Sequence, residues 1–403
     1  MEGRSYDKYV SNKLFSAGDQ LMKTISILGS TGSVGRATVD LIKRMPQTYS
    51  VDSLTANKNW QLLAEQAKIL KPRYVAISKQ QYYQPLKNAL NGEDIFIGAG
   101  EKAIIEAGDR EVDLLMAAIV GIAGLLPTIS AIRRGTTVAL ANKECLVSSG
   151  EIFIREASDA QAKLIPVDSE HNAIFQVFET HNKAKLDRLI LTASGGPFRN
   201  CTIDEMKGKN PQEALAHPNW DMGPKISIDS ATMMNKGLEI IEAHYLFNVE
   251  ESLIDVVIHP QSIVHSLVSY LDGSVLAQLA DPDMKIPIAY ALSWPKRMDA
   301  TIPRLDLLKI GSLEFFKPDT KRFPALNLAR ESINLGGSSN LVLNAANEVA
   351  VAGFLAGKIK FTDIVATVEK VLDKNVETAP KSIEEVIFMD TEIRKYTESI
   401  LEP

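Results

Sequence analysis

The residues best suited to chemistry in this 403-residue chain lie in a few short stretches. One is Asp168-Ser169-Glu170-His171-Asn172, which closes a strand-like run. Positions i and i+2 at a strand end point to one side, so its two carboxylates converge. Neighbouring like charges are costly unless something neutralises them, and a hard divalent cation would do so. The alternative is that one carboxylate only caps a helix starting near Asn172. A second stretch runs from Asp229 to Glu239 and reads as a helix from Ala231, with Asp229 or Ser230 as its cap. Positions 235 and 239 lie one turn apart, which gathers Asn235, Lys236 and Glu239. An amide, an ammonium and a carboxylate together suit a cation and an anionic substrate, or form a surface salt-bridge cluster.

The third stretch, Gly29-Ser30-Thr31-Gly32-Ser33-Val34-Gly35, follows the strand-like TISIL and opens a helix expected to begin near Arg36. Glycines there permit a tight turn and close approach of a pyrophosphate, and the helix N-terminus offers unpaired N–H groups. In that strand–loop–helix context GxxGxxG reads as a dinucleotide loop, against a merely structural turn. The second strand ends at Asn57-Lys58-Asn59, with Asp52 at its wrong end. A lysine where an NAD site has a carboxylate favours the 2′-phosphate of NADP(H). Ser194-Gly195-Gly196-Pro197 reads as an anion-binding turn after LILTA. Trp220 and Met222, in the Pro- and Gly-flanked loop His217–Gly223, read as a lid or as a loop with a buried Trp. His259 and His265, in strand-like sequence, are expected to be core histidines.

These groups need a scaffold, and the chain has length for two or three domains. From Thr24 to Asp168, strands at 24–28, 51–56, 74–78, 114–119, 136–141 and 163–168 alternate with helical stretches, the pattern of a parallel sheet covered on both faces. Beyond it, 187–196 and 254–280 read as strands of a mixed sheet, with a hairpin turn at Asp272-Gly273. Four prolines between 295 and 325 mark a linker. Helices at 340–357 and 361–374, the latter capped by Thr362, open a helical tail. The division expected is an extension (1–21), a Rossmann-like NADPH-binding domain (22–168), an α/β catalytic domain with lid (169–303), a linker (304–329) and a helical domain (330–403).

Composition narrows the classes. An apolar fraction of 45% with 23% charged residues is that of a globular protein. A net charge of −6 gives no drive toward nucleic acid or anionic membrane. Leu114–Leu126 is apolar or glycine throughout but falls short of the ~20 residues of a span. It reads as a strand, a Gly-rich loop and a helix with Pro127 in its first turn. Two isolated cysteines, Cys145 and Cys201, argue against a disulfide framework or cysteine zinc site. Residues 1–21 have no apolar stretch of signal-peptide length, and a cytoplasmic location is expected. That stretch reads as a frayed extension or vector-derived residues.

Together these motifs resemble the 1-deoxy-D-xylulose 5-phosphate reductoisomerase family. The resemblance runs through GSTGSVG (29–35), ANKE (141–144), VDSEHNAIFQ (167–176), LTASGGPFR (191–199), HPNWDMGPKISIDSATMMNKGLE (217–239), HPQSIVHS (259–266), DGSVLAQLADPDM (272–284) and NEVAVAGFL (347–355). It implies a homodimer, NADPH, and Mg²⁺, Mn²⁺ or Co²⁺ held by Asp168, Glu170 and Glu239. It assigns the substrate phosphate to Ser194, Ser230, Asn235 and Lys236, with His217, Trp220 and Met222 closing over it. Ser169 and Lys143 match substrate contacts, and Lys143 and His217 join the metal ligands in the catalytic set. Gly29, Ser30, Thr31, Gly32, Ser33 and Val34 would line the pyrophosphate, and Ala56, Asn57 and Lys58 the adenosine end. Asn142, Glu144 and Gly223 are further cofactor contacts. The implied reaction rearranges the carbon skeleton by retro-aldol cleavage and re-addition, then reduces the resulting aldehyde to 2-C-methyl-D-erythritol 4-phosphate. Cys145 stands where a serine would be unsurprising. A metal-independent NADP-dependent dehydrogenase would leave the three carboxylates unexplained, and a dinucleotide-sensing regulator would be expected to have lost one of them or Lys236.

Overall fold

The computed structural model describes residues 22–216, 220, 222–375 and 378–401. The reading of residues 1–21 and the assignments to His217 lie outside the described residues.

Strands β1 (Lys23–Leu28), β2 (Tyr49–Ala56), β3 (Tyr74–Ile77), β4 (Phe96–Ala99), β5 (Leu114–Ala117), β6 (Thr137–Leu140) and β7 (Leu164–Pro166) form one sheet in the order 4-3-2-1-5-6-7. Every pairing in it is parallel. Its strands are apolar on both faces because both are covered: Ile25, Ile27, Leu114 and Met116 face one side, Leu28, Leu115 and Ala117 the other. Helices Ser33–Lys43, Trp60–Leu70 and Lys285–Ser293 cover the first face. Glu101–Gly108, Leu125–Arg133 and Lys143–Asp159 cover the second. The strand order reverses between β1 and β5, where an open parallel sheet leaves a crevice for ligands.

A second sheet holds β8 (Leu186–Ala193), β9 (Ile254–Ile258), β10 (Val264–Tyr270) and β11 (Val275–Leu279) in the order 11-10-8-9. It is mixed: β8 and β9 run parallel, while β10 is antiparallel to β8 and β11. Asp272 builds the hairpin turn by accepting from Ser274 N–H at 2.8 Å, and Gly273 takes φ +87°. The C-terminal helices Ala325–Leu335, Ser339–Leu355, Phe361–Asn375 and Ile383–Leu401 pack against Lys143–Asp159 and the second sheet's core.

Several boundaries differ from expectation. The short apolar run at β4 is an added edge strand, with Phe96 exposed on it. Gly32 caps the first helix, which therefore starts at Ser33 rather than near Arg36. Thr362 lies inside its helix, which begins at Phe361. The helix expected from Ala231 begins at Pro224, a residue suited to a first turn, and ends at Thr232. Met233, at φ +63°, then turns the chain into a second helix, Met234–Phe247. The apolar stretch from Leu114 resolves as β5, a 3₁₀ turn and the helix carrying Pro127. Among the described residues no helix is long and apolar enough to cross a membrane.

Candidate active site

Two adjacent strands, β6 and β7, end side by side, and the turns leaving them supply Lys143 and Asp168. Asp168 has the capping role that was the alternative reading, and it faces the other carboxylates as well. One oxygen accepts from Glu170 N–H at 3.2 Å and caps the helix Ser169–Val177, which starts three residues earlier than expected. The other accepts from Lys143 Nζ. Glu239 approaches from the helix Met234–Phe247, fully buried. Carboxylate oxygens of Asp168, Glu170 and Glu239 all lie within 4.8 Å of one another. A hard cation coordinated at about 2.0–2.6 Å bridges oxygens that far apart, so the donor set fits one divalent ion.

Two ammonium groups thread these carboxylates. Lys143 Nζ also donates to Asn235 Oδ1 at 3.0 Å and Glu239 Oε1 at 3.3 Å. Lys236 Nζ pairs with Glu170 Oε1 at 3.1 Å and with Glu239 Oε2. Burial opposes the charge on each lysine, but the surrounding carboxylates prevail and both stay firmly protonated. Asp168 is buried too, yet Lys143 and His171 hold its carboxyl well below the usual range. Glu170 is raised by burial and by the neighbouring Glu239 carboxylate. Behind them lies His171, with Nδ1 3.1 Å from Asp168 Oδ1 and 3.2 Å from Glu242 Oε2, and Nε2 2.9 Å from Glu239 O. Burial opposes its charge, but Glu242 and Asp168 carry its pKa up to about 9.

The carboxylates open into a cavity of about 550 Å³. Ser169, Ser194, Ser230, Asn235, Lys236, Trp220 and Met222 all line it. Gly196, at φ +69°, allows the turn after β8 to press on the helix Pro224–Thr232: a Cβ there would lie 2.6 Å from Ser230 O. That contact brings Ser194 and Ser230 to the same end of the cavity. Ser33 and Val34, from the first turn of the helix after β1, line it too. Gly35 is required for that arrangement, since a Cβ on it would lie 2.2 Å from Gly29 O. The tight loop and bare helix start fit a pyrophosphate.

Not every expected cofactor residue presents its side chain. Ser30 is fully buried, its hydroxyl donating to Gln66 Oε1 at 2.7 Å and its N–H to Thr55 O. Asn142 caps Lys143–Asp159 and braces the loop after β5 through Gly121 O at 2.9 Å. Ala56 is buried at the end of β2, while Asn57 and Lys58 beyond it are exposed. Asp52, in the middle of β2 and away from its tip, is the partner of Arg110. Glu144 is buried against Lys225 at 3.1 Å, and Gly223 lines the cavity mouth.

Sequence reasoning passed over four residues. His259 is a core histidine as expected, its Nδ1 on Glu314 O at 2.8 Å, but His265 lines the cavity beside Trp220, with ring centroids 6.1 Å apart. Facing into a cavity from β10 depends on which side of the sheet the helices cover, and alternation along one strand leaves that open. Glu242, one turn beyond Glu239, carried a helical-spacing signal that was available. Lys225 paired with Asp229 at i+4 was also legible, had the helix been started at Pro224. Lys285, paired with Asp40 at 2.9 Å, reaches the cavity from a helix distant in sequence.

Comparison with known proteins gives one family for the matched stretches between residues 25 and 396. Residues 25–150 match the family model described as 1-deoxy-D-xylulose 5-phosphate reductoisomerase. Residues 164–247 match its C-terminal domain, and residues 279–396 the model described as DXP reductoisomerase C-terminal domain. The 1-deoxy-D-xylulose 5-phosphate reductoisomerase of Zymomonas mobilis is 50% identical over 380 residues, covering 94% of this chain and 98% of that protein. The enzyme of the same name from Rhodospirillum centenum is 50% identical over 386 residues, 96% of each chain. Among solved structures, the Zymomonas mobilis enzyme in complex with NADPH superposes with a TM-score of 0.90 at 49% identity, covering 94% of this chain and 99% of that one. A DOX-P reductoisomerase in complex with NADPH, fosmidomycin and magnesium gives 0.90 at 41% identity, covering 94% and 98%.

Proposed function

The chain belongs to the 1-deoxy-D-xylulose 5-phosphate reductoisomerase family, and from that premise we propose how its own residues divide the work. The activity is the NADPH- and divalent-metal-dependent conversion of 1-deoxy-D-xylulose 5-phosphate to 2-C-methyl-D-erythritol 4-phosphate, a step of non-mevalonate isoprenoid biosynthesis. The observation that carries the assignment of residues is one cavity lined by Ser33 and Val34, by Asp168, Glu170 and Glu239, and by Ser194, Ser230 and Lys236. Cofactor, metal and phosphate sites thus share one space.

In this reading Asp168, Glu170 and Glu239 hold the cation. When bound, the metal supplies a Lewis acid and NADPH the hydride. Lys236, Asn235, Ser194 and Ser230 take the substrate phosphate, which lies away from the reacting carbons and positions them. Lys143, kept charged by Asp168 and Glu239 at the same point, neutralises negative charge developing on the substrate oxygens. Ser169 donates beside it, and Trp220 and Met222 shut water out from above. His217 is assigned the same closing role. Thr31 and Ser33 meet the pyrophosphate with backbone N–H groups beside Gly32, whose own N–H is taken by Gly29 O at 3.0 Å, and Lys58 meets the 2′-phosphate from the tip of β2.

Ser30 and Asn142 enter this reading through their backbone and the loops they brace. A cytoplasmic homodimer is part of the same proposal. The support for the homodimer is β11, an edge strand that pairs only with β10 among the described residues and leaves Val275 and Leu276 exposed beside Leu271 of the preceding turn.

The experiment is NADPH oxidation on addition of 1-deoxy-D-xylulose 5-phosphate, with chelator and then with excess Mn²⁺. Turnover that needs both substrate and metal, with NADH a poor substitute, is expected. Turnover that survives chelation would favour a metal-independent dehydrogenase instead.

A further inference from the structure

The loop carrying Trp220 and Met222 runs into the helix Pro224–Thr232, and Lys225 stands in the first turn of that helix. Its ammonium group meets Asp229 Oδ2 at 2.6 Å, one turn on, and Glu144 Oε1 at 3.1 Å, on the helix that follows β6. Asp229 is held from the far side by Asn347 Nδ2 at 2.9 Å, from the C-terminal helix Ser339–Leu355. The next residue, Glu348, lies against Gly121, where a Cβ would come within 3.1 Å of its carboxylate, and is balanced by Arg394 at 2.6 Å. Glu144 and Asp229 therefore share one cation, Lys225. Glu144 adjoins Lys143, which lines the cavity, and is itself buried outside that lining, while Gly223, two residues before Lys225, is part of it.

We propose that Lys225 is a positioning residue that fixes the Glu144 carboxylate and the root of the lid in one register, so that the cofactor contact and the closing loop are set together. The inference rests on the reading of Glu144 as a cofactor contact. Its physical basis is that two buried carboxylates facing a neutral side chain repel each other and seek water. Without Lys225, Glu144 turns away from Asp229, and the first turn of the lid helix loses its tie to the helix after β6. The C-terminal helix contributes by holding Asp229, which ties that distant part of the chain to the helix that carries Ser230 into the cavity.

The test compares wild type, Lys225→Met, Lys225→Arg, Glu144→Gln and the Lys225→Met/Glu144→Gln double variant. The readouts are NADPH affinity by fluorescence titration, KM for each substrate, and kcat. Lys225→Met is expected to weaken NADPH binding and lower kcat, each by about 10- to 100-fold, the scale of a misplaced active-site group. Lys225→Arg should recover most of that loss. The double variant should be no worse than Lys225→Met alone, because both changes break one contact. A purely structural lysine would lower the melting temperature and leave NADPH affinity and kcat of the folded protein unchanged. That result overturns the inference, as does a double variant whose losses multiply. If Lys225→Met does not fold, Lys225→Gln, which keeps a donor, carries the same expected and overturning outcomes. Wild-type protein that fails to bind NADPH would overturn the underlying reading and the inference with it. Normal wild-type binding with an indifferent Lys225→Met overturns the inference alone.

Discussion

Three carboxylates within 4.8 Å of one another demand positive charge, and Lys143 and Lys236 supply two units of it from fixed positions. Glu239 is the member both lysines share. Glu239→Gln keeps its shape and removes its charge, so metal affinity and kcat should each fall by about 100-fold or more, the scale of several kcal/mol of lost charge stabilisation. Metal titration and steady-state rates check this, and retained affinity would move the third ligand elsewhere. The spacing of Asp168 with Glu170, and of Asn235 with Glu239, made each pair legible by itself, because each lies within a single strand end or helical turn; that Glu239 joins the other two carboxylates was implied only by the family resemblance. At the cofactor end the informative residue is Lys58, exposed just beyond β2. Lys58→Glu should raise KM for NADPH about 10- to 100-fold while leaving KM for NADH nearly unchanged, since a carboxylate repels the 2′-phosphate and accepts from ribose hydroxyls. Parallel kinetics with the two nucleotides decide it. Equal effects on both would assign Lys58 a role outside cofactor choice.

At the scale of elements, the glycines of the loop after β1 differ in what they do. A Cβ on Gly35 would strike Gly29 O at 2.2 Å and Ser30 Cα at 2.5 Å, backbone atoms that cannot move without shifting the loop from β1. A Cβ on Gly32 would meet only Gly29 O, at an ordinary 3.4 Å. Gly35→Ala should therefore cost about 1–3 kcal/mol of stability and most of the NADPH affinity, whereas Gly32→Ala should fold as well as wild type. Thermal melts and nucleotide titration of both variants test the contrast, and equal melting temperatures would remove this packing argument. Such loops, and the alternation of parallel strands with helices, were readable because they are local in the chain. What escaped was set by distance. β4 is recognised as a strand only by its pairing with β3, and the break at Met233 by the packing of two helices around it. His265 and Lys285 join the cavity from elements whose placement no local pattern fixes.

At the scale of the whole molecule, β11 is a sheet edge that, like β4 with its exposed Phe96, stands uncovered among the described residues. That strand has a paired side, against β10, and an outer edge whose backbone groups pair with no strand among the described residues. Val275 is 51% exposed and Leu276 39%, beside Leu271 at 64% at the start of the hairpin turn. A long apolar edge left open to solvent invites pairing with other chains, and natural sheets ordinarily blunt it with charge or cover it. The exposed positions on β11 itself, Val275 and Leu276, are apolar rather than charged, which suits a covered edge. A second copy is the partner that the proposed homodimer provides, and a twofold contact would place one such edge against its equivalent. Light scattering should then give twice the 44.2 kDa mass of the chain. Val275→Lys should shift that equilibrium toward the monomer by placing a buried charge on each side of the twofold. It should leave NADPH affinity intact, because Val275 lies outside the cavity lining. A monomeric wild type would remove the dimer from the proposal. A dimer indifferent to Val275→Lys would keep the assembly and move its contact to another face.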